Sequence, residues 1–174
     1  MNTFIVHKMK NKNSGVTFIE LLLYISLSAI ILMVSAVFLS LLLRSRVKNQ
    51  TMAEVGQQGI QMMQLITQEI RNADSINSPS TGSVGTTLSL ATSGGTRTFT
   101  FSGGNLQMQE GGGTQIPLSS SRVTLSNATF HNLSRAGTPG IVRIQFTLTH
   151  INPNGQNEYT FSRDFTTSSA LRHP

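Results

Sequence analysis

Residues 15–44 read GVTFIELLLYISLSAIILMVSAVFLSLLLR, and this stretch decides the architecture. From Leu21 to Leu43 no charged side chain interrupts it over 23 residues. As a helix the run would be about 35 Å long, against a hydrocarbon layer of roughly 30 Å. It therefore predicts a helix that spans a membrane with some tilt. A cleavable secretory signal has an apolar core of only about 7–15 residues, with a small-residue cut site after it. This run is too long for that. Glu20 stands at its mouth, with Val16, Phe18 and Ile19 on the N-terminal side. A carboxylate at the edge of a membrane helix is costly unless it is interfacial, protonated or paired. An interfacial glutamate with no role is the bland account of it.

Charge supports this division of the chain. The 174 residues carry 13 Lys and Arg against 7 Asp and Glu, a net charge of +6. Lys8, Lys10 and Lys12 precede the apolar run, and Arg44, Arg46 and Lys48 follow it. These six residues equal the whole excess, and flanking a membrane span explains them. With both flanks basic, the positive-inside rule orients the span only weakly. From Asn49 onward seven Arg face six acidic residues, with no basic stripe interleaved with aromatics, which argues against nucleic-acid binding. The absence of cysteine excludes disulfides, thiolate metal sites and cysteine catalysis.

The helical signal continues past Leu43. Met52, Val55, Gly59, Met62, Ile66, Ile70 and Ala73 recur at spacings of three and four. Glu54, Gln57, Gln61, Gln64, Gln68 and Arg71 fill the other face, so the segment reads as an amphipathic helix. Met52, Met62 and Met63 read as core packing rather than a ligand groove. Gly56 and Gly59 mark a softer segment or a close approach to a sheet. Pro79 ends the pattern. From Ser75 the period switches to two. Leu88 and Leu90, Phe99 and Phe101, Leu106 and Met108, Val123 and Leu125, Ala128 and Phe130, and Val142 to Leu148 alternate with polar residues. Gly103-Gly104-Asn105 and Gly111–Gly113 read as turns. Asn154-Gly155 reads as a hairpin, with Tyr159, Phe161 and Phe165 returning beyond it. The expected fold class is α+β, with one long N-terminal helix from about Val16 to Asp74 packed on an antiparallel β-sheet.

The stretch from Ser14 to Leu23, SGVTFIELLL, resembles the type IV prepilin processing motif. The resemblance implies a basic leader over residues 1–15, cut after Gly15 by a dedicated prepilin peptidase. It implies N-methylation of the new terminus, Val16, where the family usually has phenylalanine. Thr17 and Glu20 match the motif's assembly positions, with Glu20 five residues past the cut. A glycine before the scissile bond leaves nothing to obstruct a tight protease site. In a filament, Glu20 would pair with the terminal amine of a neighbouring subunit. The later stretches QEIRNA (68–73), TFTFSGGNLQMQEGG (98–112), PLSSSRVTL (117–125) and FTTSSALR (165–172) resemble the J-type minor pseudopilins of type II secretion and related minor pilins. The implied fold is pilin-like: a transmembrane and assembly helix over 16–43, an amphipathic helix over 44–76, and a β-rich extracytoplasmic head over 77–174. The implied partners are prepilin peptidase, other pilin or pseudopilin subunits and an inner-membrane assembly platform. The implied location is the bacterial inner membrane, and then the filament.

No catalytic constellation is visible, so an enzyme is not expected, and neither is a cofactor. His7, His131, His150 and His173 lack ligand-spaced partners in sequence. Glu158 and Asp164 fall on one face if they share a strand, with Arg163 as a charge partner, and read as surface ions. The loop 152–157 lacks carboxylates and is not expected to hold calcium. Asn127-Ala128-Thr129 and Asn132-Leu133-Ser134 match the glycosylation sequon, a short pattern common by chance. The competing expectation to a filament subunit is an uncleaved, single-pass membrane-anchored β-domain acting as an adhesin or binding module.

Overall fold

The computed structural model describes residues 15–172. The expected leader, with His7, Lys8, Lys10 and Lys12, lies outside the described residues except for Gly15, as does His173. The chain divides between Leu43 and Arg44 into two units. It is an α+β protein in which one long helix, α1 (Phe18–Asn72), precedes nine strands. Residues 15–17 lie outside any regular element, and Thr17 caps the helix. The Thr17 carbonyl accepts from the Leu21 N–H at 3.1 Å, and its Oγ1 accepts from the Glu20 N–H at 3.4 Å. Thr17-Phe18-Ile19-Glu20 thus has the spacing of a capping box.

Every large apolar side chain from Leu21 to Leu43 is exposed, on all faces of that half of the helix. The second half is different. Thr51, Val55, Gly56, Gly59, Met62, Met63, Ile66 and Ile70 are buried along one stripe. The helix stops at Asn72 rather than running to Asp74 or 76. The Ala73 N–H falls back on the Ile70 carbonyl at 3.3 Å, and the Asp74 N–H donates to the Ala91 carbonyl at 2.8 Å. A strand therefore takes over the backbone hydrogen bonds as soon as the helix releases them.

The strands are β1 (Ser75–Ser78), β2 (Val84–Gly85), β3 (Thr87–Thr92), β4 (Gly95–Ser102), β5 (Asn105–Glu110), β6 (Ile116–Pro117), β7 (Val123–Asn132), β8 (Ile141–His150) and β9 (Ser162–Ala170). The expected sheet is present as two antiparallel sheets, ordered β1-β3-β4-β5-β6 and β2-β7-β8-β9. The break follows β6. Pro117 offers no N–H to a further strand, and the chain crosses through Ser119–Arg122 into the second sheet. The Phe101 N–H extends the β3–β4 ladder to the Thr86 carbonyl at 2.9 Å, and a backbone bond ties the two sheets, Leu125 N–H to the Gly104 carbonyl at 2.8 Å.

The core lies between the helix stripe and the inner faces of both sheets. Leu88, Leu90, Phe99, Leu106, Phe130, Val142, Ile144, Phe146 and Leu148 are fully buried. Phe101 stacks on Phe130 with ring centroids 4.6 Å apart, and Phe146 stacks on its cross-strand partner Phe165 at 5.4 Å. In β7 the apolar phase shifts between Leu125 and Ala128. The strand absorbs the shift with a bulge between Ser126 and Thr129, where Asn127 adopts φ 50°. Asparagine tolerates that conformation better than most residues. The Asn154-Gly155 hairpin reading needs correction. β8 and β9 do pair, but residues 151–161 form a longer connection with a 3₁₀ turn at Asn157–Tyr159. Asn152 closes it, donating through Nδ2 to the Gln156 carbonyl and Thr160 Oγ1, both at 2.8 Å, and accepting from the Gln156 N–H at 3.0 Å.

Candidate functional site

Gly15 and Val16 form an exposed, non-helical lead-in to α1. Among the described residues a side chain built on Gly15 meets nothing within 4 Å, so none of them imposes a need for glycine there. The peptide between the two residues is open to a partner that requires a small residue. Thr17 fixes where the helix begins. Glu20, one turn in, is exposed, and its Oε1 accepts a hydrogen bond from the Tyr24 hydroxyl at 2.8 Å. The carboxylate therefore has one local donor and room for more. Tyr24 was not singled out by sequence reading. The signal was there, since residues four apart share a helix face.

The head carries a second polar cluster, around Glu54. Its carboxylate is approached by Gln58 Nε2 at 3.4 Å, Arg122 Nη1 at 3.5 Å and His150 Nε2 at 3.8 Å. His150 packs flat on Tyr159, and its Nδ1 is buried with no hydrogen-bond partner among the described residues. A tighter bridge lies farther along the helix. Arg97 on β4 reaches Glu69 on α1 at 2.6 Å and Glu110 on β5 at 3.0 Å.

The basic residues after the apolar run are not merely flanking. Lys48 donates from Nζ to the Asn157 carbonyl at 3.2 Å and the Thr160 carbonyl at 2.5 Å. Arg44 Nε lies 3.5 Å from Glu158 Oε1. Glu158 and Asp164 do not share a strand as expected. Glu158 is in the 3₁₀ turn, whereas Asp164 on β9 accepts from Thr147 Oγ1 at 2.7 Å. Arg163 pairs with neither and lies over the Phe165 ring. Of the sequon asparagines, Asn127 is exposed and Asn132 is buried. Asn132 donates to the Pro79 carbonyl at 2.7 Å and accepts from the Ser134 N–H at 3.0 Å. Among the described residues no group of three or more His, Asp and Glu is placed to hold a metal ion.

Fold and site together define an α+β protein with one helix long and apolar enough to cross a membrane. Comparison with protein-family models, curated proteins and solved structures gave no match.

Proposed function

We propose that the chain is a minor pilin or pseudopilin, a non-enzymatic structural subunit of a type IV pilus or type II secretion filament. In this reading prepilin peptidase cuts it after Gly15 at the bacterial inner membrane, and Val16 becomes the methylated terminus. The observation that carries it is the order of parts at the N-terminus. An open Gly15–Val16 peptide leads into a helix capped by Thr17, with Glu20 on the first turn of an exposed apolar run. The cut would leave an amine beside the apolar half of the helix, which carries one carboxylate, Glu20. Such a carboxylate in one subunit and amine in the next suit a desolvated pair, which sets register more reliably than it adds stability.

Processing tests the reading. Co-expression with an active prepilin peptidase should remove the first 15 residues, and intact mass should place Val16 at the terminus. Gly15→Val should block the cut while leaving the fold intact, because nothing in the structure occupies that space. Retention of Met1 in the presence of active peptidase would reject the reading and leave the uncleaved membrane-anchored binding module.

A further inference from the structure

The apolar run ends at Leu43, and the next residue begins a groove of about 460 Å³ lined by Arg44, Ser45, Lys48, Asn49, Asn157 and Glu158. Its charges are arranged by sign. On the helix side stand two cations with unused donors. Arg44 meets Glu158 only through Nε, so among the described residues both of its terminal nitrogens lack a protein partner, and its side chain is 69% exposed. Lys48 spends two donors on the Asn157 and Thr160 carbonyls and keeps one. Facing them is Glu158, which meets Arg44 through one oxygen and among the described residues has no partner for the other. The same connection exposes Tyr159 and Ile151, side chains suited to an interface between water and lipid.

We propose that this groove binds the headgroup of an ethanolamine phospholipid while the apolar run spans the bilayer. The phosphate oxygens would take the free Arg44 nitrogens and the remaining Lys48 N–H, a planar fork and a point donor that both suit phosphate. The primary ammonium of the same headgroup would donate to the free oxygen of Glu158. Two features select the lipid. Choline carries a quaternary nitrogen with no N–H to give to Glu158. A glycerol headgroup supplies no cation to meet that carboxylate. A bare basic flank would instead prefer whichever lipid carries net negative charge. The groove thereby ties the connection between β8 and β9 to the membrane surface.

The proposal rests on the membrane-spanning reading, and the test separates the two. The full chain is reconstituted in bilayers with equal parts of phosphatidylethanolamine, phosphatidylglycerol and phosphatidylcholine. Alkaline extraction first reports insertion, and native mass spectrometry then counts the lipids each inserted chain retains. Retained ethanolamine lipid should exceed choline lipid by about fivefold, the scale of one net hydrogen bond. Arg44→Gln should lower retention of both lipids, which share the phosphate, and Glu158→Gln should bring their ratio close to one. Arg46→Gln, outside the groove, should leave it unchanged. Circular dichroism of each variant confirms that the fold is kept, which the exposure of Arg44 favours. Preferential retention of the glycerol lipid, equal selectivity in wild type and Glu158→Gln, or undiminished retention in Arg44→Gln, would reduce the site to a nonspecific basic flank. Release of the chain by alkaline extraction would overturn the membrane-spanning reading, and the headgroup site with it.

Discussion

Two glycines on the same helix face make opposite predictions, and the difference lies in what each touches. A methyl group on Gly59 would overlap the Phe165 ring. That ring is stacked on Phe146, which is fully buried, so it has little room to retreat. Gly59→Ala gains about 1 kcal/mol of helix propensity but incurs overpacking of about 1–3 kcal/mol on a ring that cannot yield. The expected result is a net loss of up to about 2 kcal/mol, seen as a lower urea midpoint. At Gly56 the nearest atom is Arg163 Nη1 at 3.7 Å, an ordinary contact at the end of a flexible side chain. Gly56→Ala should therefore raise the midpoint, by up to about 1 kcal/mol. If both variants lose stability, the helix is not seated on β9 as described. The sequence offered both glycines as soft spots or close approaches. Only the position of Phe165, more than a hundred residues later in the chain, decides between the two.

At the scale of elements, legibility followed length. The amphipathic half of α1 and strand β8 declare themselves because their periods run through many residues. The hairpin β4–β5 is legible from Gly103-Gly104, both with positive φ. Even the β7 bulge is written in the sequence, as the phase shift between Leu125 and Ala128. The strands β1, β2 and β6 have four, two and two residues, too short to show a period, and they are edge strands. Without them the split into two sheets could not be read. Nor could the bridges between elements, since any arginine suits any carboxylate until the fold chooses. Arg97 on β4 bonds Glu69 on α1 with both side chains mostly covered, 29% and 16% exposed, whereas Arg122 meets Glu54 at 3.5 Å with Arg122 68% exposed. A double-mutant cycle with alanine should give about 1 kcal/mol of coupling for Arg97 with Glu69, and almost none for Arg122 with Glu54. Equal couplings would mean that the first bridge does not hold the helix to the hairpin.

On the scale of the whole molecule, the apolar half of α1 is exposed along its length among the described residues. Its large side chains from Leu21 to Leu43 are about half to three-quarters exposed, far more contiguous apolar surface than a soluble monomer carries. In the proposed reading a membrane and then other copies of the helix would cover it, and Glu20 separates those two demands. Glu20→Leu removes the one charge at the mouth of the run. It also removes the acceptor of the Tyr24 hydroxyl, a minor loss at an exposed position. Membrane insertion should be undiminished, since leucine is favourable where glutamate is costly. Cleavage after Gly15 should persist, because Gly15 and Thr17 are untouched. Filament entry should fall, because a neighbour's terminal amine would be left buried without its partner. Breaking a buried pair costs about 3–5 kcal/mol. At about 1.4 kcal/mol per tenfold, the variant should be depleted from filaments by about a hundredfold or more. Comparing membrane and sheared-filament fractions of wild type and variant measures this directly. Wild-type levels in filaments would make Glu20 an interfacial carboxylate and remove the pairing mechanism. Fewer filaments of normal composition would instead place the subunit at the tip, where its helix meets fewer neighbours and the missing pair impairs initiation rather than growth.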